Sequence, residues 1–477
     1  MNGRVVIDGP PTLRGAFYSF ESYKLENVAQ EVLGTGKDIS GEGKVDEIER
    51  RFAKDKISLA HYNLLDCTLV TDIFNKLGLI DLTFIRAITC GLTMDRIGMS
   101  VAAFDYFMLP MTHRKGFVAP DVDGIDFTGQ GSGGLVFTEE PGFYNSIVVL
   151  DFKSLYPSII RTFFIDPISR VLSSKNPIST PANILFSSTE HVLPKYIKEL
   201  MDKREEAKKN GDKHLSQAIK ILMNSFYGVM GTQGSRFYHQ DLPKGITETG
   251  QWLLTTTKEY LKKLGYEVIY GDTDSLFVEL KENDILDYDK AGENLAAMVN
   301  SYLSTYLKKE FNVDSVLELE YEKHFRRFFL PGLRGSNKGA KKRYAGLCST
   351  KNGEELTFTG LEFVRSDWTE LAKEFQYNLF SKIFSDQGVE SYIKTVVRDL
   401  ENKELDHKLI YKKRLKKTAR EYTKNIPPQV KAALKLDPSG KLKGNIKYVI
   451  TNDGPTPAEF NPENINYNHY KISYKHV

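Results

Sequence analysis

Apolar positions recur about every two residues in some segments and about every 3.6 residues in others. The first period predicts strands and the second predicts helices. Short β-branched runs predict a strand at residues 5–7 and a buried strand at residues 146–150, which ends at Asp151. Two more runs, residues 267–270 and 275–280, flank a Gly-Asp-Thr-Asp turn and predict a β-hairpin. The predicted strands therefore carry carboxylates at a strand end and at a hairpin tip.

Helical periodicity covers much of the remaining chain. Helices are predicted at residues 17–33, 44–54, 194–209 and 214–230. Asn210-Gly211-Asp212 joins the last two, which are therefore expected to form an antiparallel helical hairpin. Beyond about residue 368 the pattern is helical and basic, with one late strand candidate at residues 446–450.

The second helix of this hairpin has a polar face. Lys220, Asn224 and Tyr227 share that face because their spacing is i, i+4, i+7. The apolar side chains face the other way, and they are Ile219, Leu222, Met223 and Phe226. Polarity is thus concentrated on one side of the helix.

The first helix of the hairpin adds two cations, Arg204 and Lys208, at i, i+4 spacing. Taken alone, they are better explained as surface charges beside Glu205 and Glu206. Together with Lys220 on the facing helix they form a set that suits a triphosphate, since Arg binds phosphate in a fork and Lys acts as a point charge.

Composition limits the classes of protein that fit these elements. The chain has 477 residues, 41% of them hydrophobic, so it is long enough for several domains with a large core. Its three cysteines lie far apart without a CxxC spacing, which is typical of a reducing cytosol and gives no structural zinc site. No apolar run approaches the roughly 18 residues of a membrane helix, and no signal-peptide pattern is found. Membrane insertion and secretion are therefore not expected.

Basic residues are concentrated in two stripes, although the net charge is only +3. Residues 321–345 contain eight Lys or Arg against Glu322, and residues 411–424 contain seven against Glu421. Such stripes suit a polyanion, because each neutralised phosphate releases counterions. A lone charge run is more often a solvated helix face, so the stripes by themselves leave both interpretations open.

The carboxylates at the strand end and the hairpin tip are the strongest chemical signal. If the two strands are neighbours, Asp151, Asp272 and Asp274 converge into a cluster of like charges that needs cations. Hard oxygen ligands suit Mg²⁺, and two such ions can activate a hydroxyl and stabilise a leaving phosphate oxygen. One Asp alone is more often a turn residue, but their conjunction favours a metal site.

Three segments contain the residues discussed above, and they are residues 151–158 (DFKSLYPS), 220–228 (KILMNSFYG) and 270–275 (YGDTDS). In order and spacing these segments resemble motifs A, B and C of the family B DNA polymerases. The primer-template motif and the segment after it are matched by residues 341–344 (KKRY) and 360–367 (GLEFVRSD). Two further segments, residues 160–167 and 425–430, resemble a bacterial branch of the family. The resemblance spans essentially the whole chain.

The resemblance implies an α+β fold with the right-hand polymerase architecture. An antiparallel palm sheet, helical-hairpin fingers and a helical thumb would follow a partial RNase H-like exonuclease domain. The implied domains are the C-terminal part of the 3′–5′ exonuclease domain with linker helices (1–112), palm (113–171), fingers (172–232), palm again (233–367) and an incomplete thumb (368–477). The family's N-terminal domain is not found, so a truncated form of a longer polymerase is expected.

The resemblance also implies a catalytic centre. Asp151 and Asp274 would hold two Mg²⁺ ions, Asp272 would assist, and the Phe152 carbonyl would add a ligand; Mn²⁺ can substitute. The primer 3′-hydroxyl would attack the α-phosphate in line, and pyrophosphate would leave.

Substrate-binding residues follow from the same resemblance. The incoming deoxynucleoside triphosphate is expected to contact Ser154, Leu155, Tyr156, Arg204, Lys208, Lys220 and Asn224. Tyr156 would lie under the sugar, where it excludes a 2′-hydroxyl by steric clash. Primer-template DNA is expected to contact Tyr227, Gly228, Lys342, Tyr344 and Arg365. The stripe at residues 411–424 would bind phosphates without sequence preference.

Proofreading is expected to be incomplete in this chain. Of the family's three exonuclease motifs only the third is found, as a remnant from Tyr62 to Asp66. Asp46 and Glu47 fall in a predicted helix and are interpreted as part of a solvated face. The family's Tyr-x-Gly-Gly linker element appears as Gly131-Ser132-Gly133-Gly134, which departs from the pattern at its first position.

The sequence thus predicts a DNA-directed DNA polymerase, a nucleotidyltransferase whose partners are primer-template DNA and deoxynucleoside triphosphates. A sliding clamp is left open as a partner, and a monomer in a bacterial cytoplasm, associated with the nucleoid, is expected. Two alternatives stay open. One is a DNA-binding fragment without polymerase activity; the other is an exonuclease, which is disfavoured because Asp66 lacks its partner carboxylates.

Overall fold

The computed structural model describes residues 3–20, 22–39, 43–96, 98–129, 133–280, 287–333, 338–350, 353–424 and 426–474. Gly131, Ser132 and Asn425, which belong to segments discussed above, lie outside these ranges. Among the described helices, none combines the length and the apolar composition that crossing a membrane requires.

Helices and strands follow one another in mixed order along the chain. The helices are α1 Gly9–Gly15, α2 Leu25–Leu33, α3 Lys44–Lys54, α4 Lys56–Lys76, α5 Leu79–Cys90, α6 Ser100–Arg114, α7 Leu155–Thr162, α8 Pro167–Val171, α9 Leu193–Lys209, α10 Lys213–Met230, α11 Asp241–Lys263, α12 Tyr288–Phe311, α13 Glu370–Phe384, α14 Glu390–Glu401, α15 Pro428–Leu436 and α16 Tyr467–Tyr474. The strands are β1 Val136–Thr138, β2 Gly142–Phe152, β3 Pro177–Ser179, β4 Leu185–Ser187, β5 Glu267–Asp272, β6 Ser275–Glu279, β7 Leu319–Leu330, β8 Tyr344–Thr350, β9 Gly353–Thr359, β10 Tyr411–Leu415, β11 Gly444–Thr451 and β12 Gly454–Pro457.

The chain packs as two compact units, each built from three separate stretches. The first unit consists of Met1–Leu135, Phe152–Thr257 and Met298–Leu319. The second unit consists of Val136–Asp151, Lys258–Ala297 and Glu320–Val477. The finer division into exonuclease remnant, palm, fingers and thumb stays a prediction.

A seven-stranded sheet forms the centre of the second unit, with the order β1-β5-β6-β2-β7-β8-β9. The predicted hairpin is β5 and β6, which pair antiparallel with each other and with β1 and β2. Residues 147–150 of β2 are all buried, so both faces of this strand are covered. Burial on both faces explains why the strand is a continuous apolar run instead of an alternating one.

The last part of the second unit contains more sheet than the sequence pattern predicts. β10, β11 and β12 form a three-stranded antiparallel sheet, of which only the strand candidate at residues 446–450, now part of β11, was expected. β10 lies inside the second basic stripe. Its outward residues are Lys412 and Arg414, and its inward end is the buried Leu415. A strand with basic residues at alternate positions resembles a charged helix face in composition, which is why the pattern alone did not separate them.

The first unit contains the predicted helical hairpin, formed by α9 and α10. Gly211 adopts a left-handed φ of +71° in the turn, and the Asp212 side chain accepts a hydrogen bond from the Leu215 N–H at 2.9 Å. The apolar face of α10 packs on the N-terminal helices, where the Phe226 ring lies 5.4 Å from Phe104. The hairpin therefore rests on a helical base.

Two predictions for the N-terminal region are wrong in detail. Residues 5–7 lie outside any strand, and Val5 and Val6 are 53% and 70% exposed, because a short β-branched run needs a neighbouring strand to be buried. The helix expected at residues 17–33 begins only at Leu25, since Phe17 has a positive φ of 66° that ends the preceding helical turn.

Substitution of the buried Tyr470 tests how much its hydroxyl group stabilises the three-stranded sheet. The Tyr470 hydroxyl accepts a hydrogen bond from the Ile450 N–H at 2.9 Å and donates one to the Leu409 carbonyl at 3.0 Å. We expect Tyr470→Phe to lower the free energy of unfolding by about 1–3 kcal/mol, because both backbone groups lose their partner. Tyr377→Phe, at a ring 41% exposed, should change it by less than about 0.5 kcal/mol. Urea unfolding followed by circular dichroism measures both, and equal effects would contradict the assignment.

Candidate active site

Carboxylates meet at one end of the seven-stranded sheet in the second unit. Asp272 on β5 is in register with Ser275 on β6, and Ser275 is in register with Asp151 on β2. These three residues form one row across adjacent strands, with Cα atoms about 5 Å apart from strand to strand. Asp274 lies beside the row, in the two-residue turn between β5 and β6. The structure thus brings the strand end and the hairpin tip together.

Asp151 and Asp274 lie in an environment that disfavours their charged forms. Burial raises the pKa of Asp151 to about 7, and the charges of Asp274, Glu322 and Glu320 add to the rise. Burial also raises the pKa of Asp274, although the backbone N–H of Asp274 opposes the rise. Ionising both carboxyl groups is therefore costly without a counterion, a condition that favours cation binding.

Asp272 differs from the other two because the protein itself supplies its counterion. The Lys342 Nζ lies 2.8 and 2.9 Å from the two carboxylate oxygens of Asp272. The Thr273 hydroxyl donates to the same carboxylate at 2.9 Å and the Tyr270 hydroxyl at 3.2 Å. Within the described ranges, no three His, Cys, Asp or Glu side chains form a group that could hold a metal ion. Asp272 is thus paired with Lys342, while its negative charge still contributes to the raised pKa of Asp274. A metal site formed by the three carboxylates stays a prediction.

The backbone is strained at three of the predicted site segments. Ser154, Thr273 and Lys342 have left-handed φ values of 48°, 60° and 57°, which cost side-chain-bearing residues on the order of 1 kcal/mol each. The Lys342 N–H donates to the Tyr270 hydroxyl at 3.2 Å. Gly360 has a φ of +62°, and a Cβ atom there would lie 2.0 Å from the Lys342 carbonyl oxygen. Only glycine therefore allows the chain to pass behind Lys342.

Two acidic residues near Asp151, Glu320 and Glu322, were missed by the motif analysis. They lie on β7 and raise the pKa of Asp151 through their charges. The signal was present in the sequence, because acidic residues occupy alternate positions from Glu318 to Glu322, and alternate residues of a strand share one face.

The predicted cationic face lies in the first unit, on α9 and α10. Lys220 and Asn224 are exposed, while the four residues expected to face away are buried, so the predicted polarity of α10 is confirmed. Lys208 is bound to Glu205 at 2.8 Å. The Arg204 Nε is buried and has no hydrogen-bond partner among the described residues. A buried guanidinium nitrogen without a partner is unfavourable, and an anion beside it would relieve this cost.

Motif A continues into the first unit and meets motif B there. Phe152 is buried at the end of β2, Ser154 precedes α7, and Leu155 is buried in its first turn. The rings of Tyr156 and Tyr227 lie 4.7 Å apart at 48°. Burial raises the pKa of Tyr227, so this side chain stays neutral. Gly228, which follows Tyr227, is exposed.

The residues expected to contact DNA in the second unit are largely engaged with the protein. Tyr344 joins an aromatic cluster, with ring distances of 5.2 Å to Phe328 and 5.3 Å to Phe277. Arg365 is bound to Asp367 at 2.9 and 3.0 Å. Several cations of the first basic stripe also form internal ion pairs, and these are Lys323, Arg326, Arg327, Lys342 and Arg343. The stripe is therefore partly a structural feature of the sheet.

The segment from Tyr62 to Asp66, which is predicted to be an exonuclease remnant, lies in the first unit and contacts an unexpected lysine. The Asp66 carboxylate is paired with Lys37, whose ammonium also lies 5.2 Å from the centre of the buried Tyr62 ring. Glu47 is bound to Arg50 and Arg51 on α3, as expected of a helix face. The motif analysis did not predict Lys37, because it lies in a loop 29 residues before Asp66.

Comparisons with known proteins show which family the chain belongs to. The model of the family described as DNA polymerase family B matches residues 98–475. DNA polymerase II of Escherichia coli (strain K12) is 44% identical over 98% of the chain, and a DNA polymerase of Desulfurococcus sp. (strain Tok) is 27% identical over 95%. The chain spans 62% and 59% of these two relatives.

A solved structure extends the comparison to the fold. The family B DNA polymerase of Pyrobaculum calidifontis superposes with a TM-score of 0.61 at 25% identity, covering 96% of this chain and 61% of that one. The likeness therefore extends over both units. The chain belongs to the family B DNA polymerases.

Proposed function

We propose that the chain catalyses template-directed addition of deoxynucleotides to a primer 3′-hydroxyl by two-metal phosphoryl transfer. The observation that carries the proposal is the row of Asp272, Ser275 and Asp151 with Asp274 beside it, in a chain of this family. Carboxylates held this close need cations, and phosphoryl transfer needs the same cations to stabilise charge on phosphate.

Mg²⁺ is the proposed cofactor, with Mn²⁺ as a substitute. The donor set fits, because Asp151 and Asp274 offer hard oxygen ligands whose pKa values are raised by burial and by the neighbouring carboxylates, so that a bound cation would stabilise their ionised forms. Asp272 and the Phe152 carbonyl would complete the ligands once Lys342 releases Asp272. Bound Mg²⁺ would supply charge stabilisation for the attacking and leaving oxygens.

The helical hairpin is proposed to bind the triphosphate of the incoming nucleotide. Arg204 brings a buried nitrogen that needs an acceptor, and Lys220 and Asn224 are exposed on the facing helix. Lys208 would exchange Glu205 for phosphate, which is possible because an exposed ion pair contributes little. Tyr156, preceded by Ser154 and Leu155, is proposed to lie under the deoxyribose.

Primer-template DNA is the proposed polyanionic partner. Tyr227 and Gly228 would lie against the nascent base pair, and Lys342, Tyr344 and Arg365 against the duplex. The outward Lys412 and Arg414 on β10 support phosphate contacts without sequence preference. A monomer in a bacterial cytoplasm, near the nucleoid, suits this role.

A second candidate function is DNA binding without extension. It is favoured by the Lys342–Asp272 ion pair, which would have to open before Asp272 could assist a metal. Proofreading is proposed to be incomplete, because only the third exonuclease motif is found in the sequence; its Asp66 is paired with Lys37. Primer extension with Mg²⁺ and each deoxynucleotide, beside the same primer without nucleotides, separates the functions. Growth supports the polymerase, shortening supports an exonuclease, and binding alone supports the second candidate.

Removing one carboxylate of the pair should stop extension while DNA binding continues. We expect Asp274→Asn to lower the extension rate at least about 100-fold, because a neutral amide is a poor Mg²⁺ ligand. Its affinity for primer-template DNA should stay within about twofold, since phosphate contacts dominate that affinity. Asp314→Asn, at an 88% exposed side chain, is the matched control. A variant at position 274 that still extends primers would refute the metal assignment.

Sugar selectivity should depend on the ring of Tyr156. We expect Tyr156→Ala to raise ribonucleotide incorporation relative to deoxynucleotide incorporation at least about tenfold, because the clash with a 2′-hydroxyl is removed. Tyr156→Phe retains the ring and should retain the selectivity. The ratio of kcat/KM for matched ribo- and deoxynucleotides measures the effect, and an unchanged ratio in the alanine variant would contradict the assigned position.

Removing the buried charge of Asp151 should stabilise the metal-free chain at high pH. The folded-state pKa of about 7 lies above the ordinary Asp value of 3.8, so the ionised form destabilises the fold above pH 7. This penalty disappears as the pH falls from 7 to about 4. Because the carboxyl group is only partly buried, solvent screening reduces this penalty, and we expect Asp151→Asn to add about 1–3 kcal/mol near pH 8 and less than half of that near pH 5.

Thermal unfolding with a chelator at both pH values measures this difference. Asp314→Asn should show no such pH dependence, because that side chain is 88% exposed. Excess Mg²⁺ should favour the unmodified chain, since a ligand that binds only the folded state stabilises it. Equal effects of Asp151→Asn at both pH values would mean that burial does not raise its pKa.

A further inference from the structure

Asp166 is a fully buried carboxylate that joins the starts of two helices in the first unit, with an exposed fraction of 0%. Its Oδ1 accepts hydrogen bonds from the N–H groups of Ile168 at 2.7 Å and Ser169 at 2.9 Å, in the first turn of α8. Its Oδ2 accepts from the N–H groups of Val192 at 3.1 Å and Leu193 at 2.7 Å, where α9 begins. One side chain therefore caps both helices.

The hydrogen-bond pattern identifies the ionised form. Each oxygen of Asp166 accepts two N–H donors, and a protonated oxygen would point its O–H at one of them. Burial raises the pKa of Asp166, and the four N–H donors oppose that rise. The positive end of the α9 dipole adds to the stabilisation of the charge. The carboxylate is thus matched to the two helix ends.

The helix α9 depends on this long-range cap. Its own N-cap residue is Val192, an apolar side chain that makes no capping hydrogen bond. Arg204 lies eleven residues after Leu193, about 16 Å along the helix axis at about 1.5 Å per residue. A change of about 4° in the direction of α9 at its start would therefore move Arg204 by about 1 Å. A displacement of about 1 Å in a residue that positions a substrate can slow the reaction substantially.

We infer that Asp166 is a positioning residue for the incoming triphosphate. It fixes the direction of α9 relative to α8, and so sets where Arg204 and Lys208 meet the phosphates. This inference rests on the proposed function of the helical hairpin as the triphosphate-binding face.

A neighbouring residue provides a matched control. Ser169 is also 0% exposed, and its hydroxyl donates to the Ser187 carbonyl at 3.0 Å and accepts from the Ser187 N–H at 2.8 Å. These bonds tie α8 to β4 and do not involve α9. Ser169→Ala and Asp166→Asn therefore both remove buried hydrogen bonds beside α8. Only the second breaks the link between the two helix starts, because the amide of asparagine has one acceptor oxygen and can cap α8 or α9 but not both.

The first measurement is calorimetric binding of inorganic tripolyphosphate with Mg²⁺, below the melting temperature of each variant. We expect Asp166→Asn to weaken binding about tenfold and Ser169→Ala to change it less than twofold. In primer extension, Asp166→Asn should raise the KM for the nucleotide by a similar factor, while affinity for primer-template DNA stays the same. If the Asn variant does not fold, Asp166→Ser replaces it. The single hydroxyl of serine can cap the start of α8, but it cannot cap the start of α9 at the same time.

The outcomes separate this inference from the proposed function. Equal tripolyphosphate affinities for the Asp166 and Ser169 variants would overturn it, as would an unmodified chain that binds no tripolyphosphate. Selective weakening by the Asp166 variant supports it. An unmodified chain that binds tripolyphosphate but does not extend primers would contradict the proposed function alone.

Discussion

Repulsion between carboxylates held at one end of a sheet is the constraint on which the rest of the molecule depends. The register of three strands leaves Asp151 and Asp272 no freedom to move apart, because every backbone pair along β2, β5 and β6 would have to shift with them. Partial burial makes the charges more costly, as the raised pKa of Asp151 reflects. The strained backbone at Thr273 and Lys342 belongs to the same arrangement, because these residues lie where the Lys342 ammonium meets the Asp272 carboxylate.

A lysine neutralises a carboxylate in each unit, but the two ion pairs differ in exposure. In the second unit Lys342 neutralises Asp272 with a side chain that is 64% exposed, so it can leave when another cation or a phosphate arrives. In the first unit Lys37 neutralises Asp66 with a side chain only 13% exposed, beside the Tyr62 ring, and its backbone N–H is held by Glu26 at 2.6 Å. The more exposed Lys342–Asp272 pair is therefore suited to exchange its partner, whereas the less exposed Lys37–Asp66 pair is suited to stay formed.

Local sequence patterns predicted the strands and helices that carry the site. The contacts that the sequence did not predict join residues far apart along the chain. The buried run that became β2, the hairpin tip and the polar face of α10 each depend on periodicity within a few residues, which the sequence displays directly. The pairing of Lys342 with Asp272 spans 70 residues, and the capping of Leu193 by Asp166 spans 27. Neither leaves a local signal. β10 was missed because its partner β11 begins almost 30 residues later.

The two units are interleaved along the chain, since each is assembled from three separate stretches and β2, α11, α12 and β7 all continue across a boundary. No single cut of the polypeptide yields either unit as a continuous piece. A protease that cuts the chain once, or a recombination event with one crossover, therefore releases or exchanges neither unit intact.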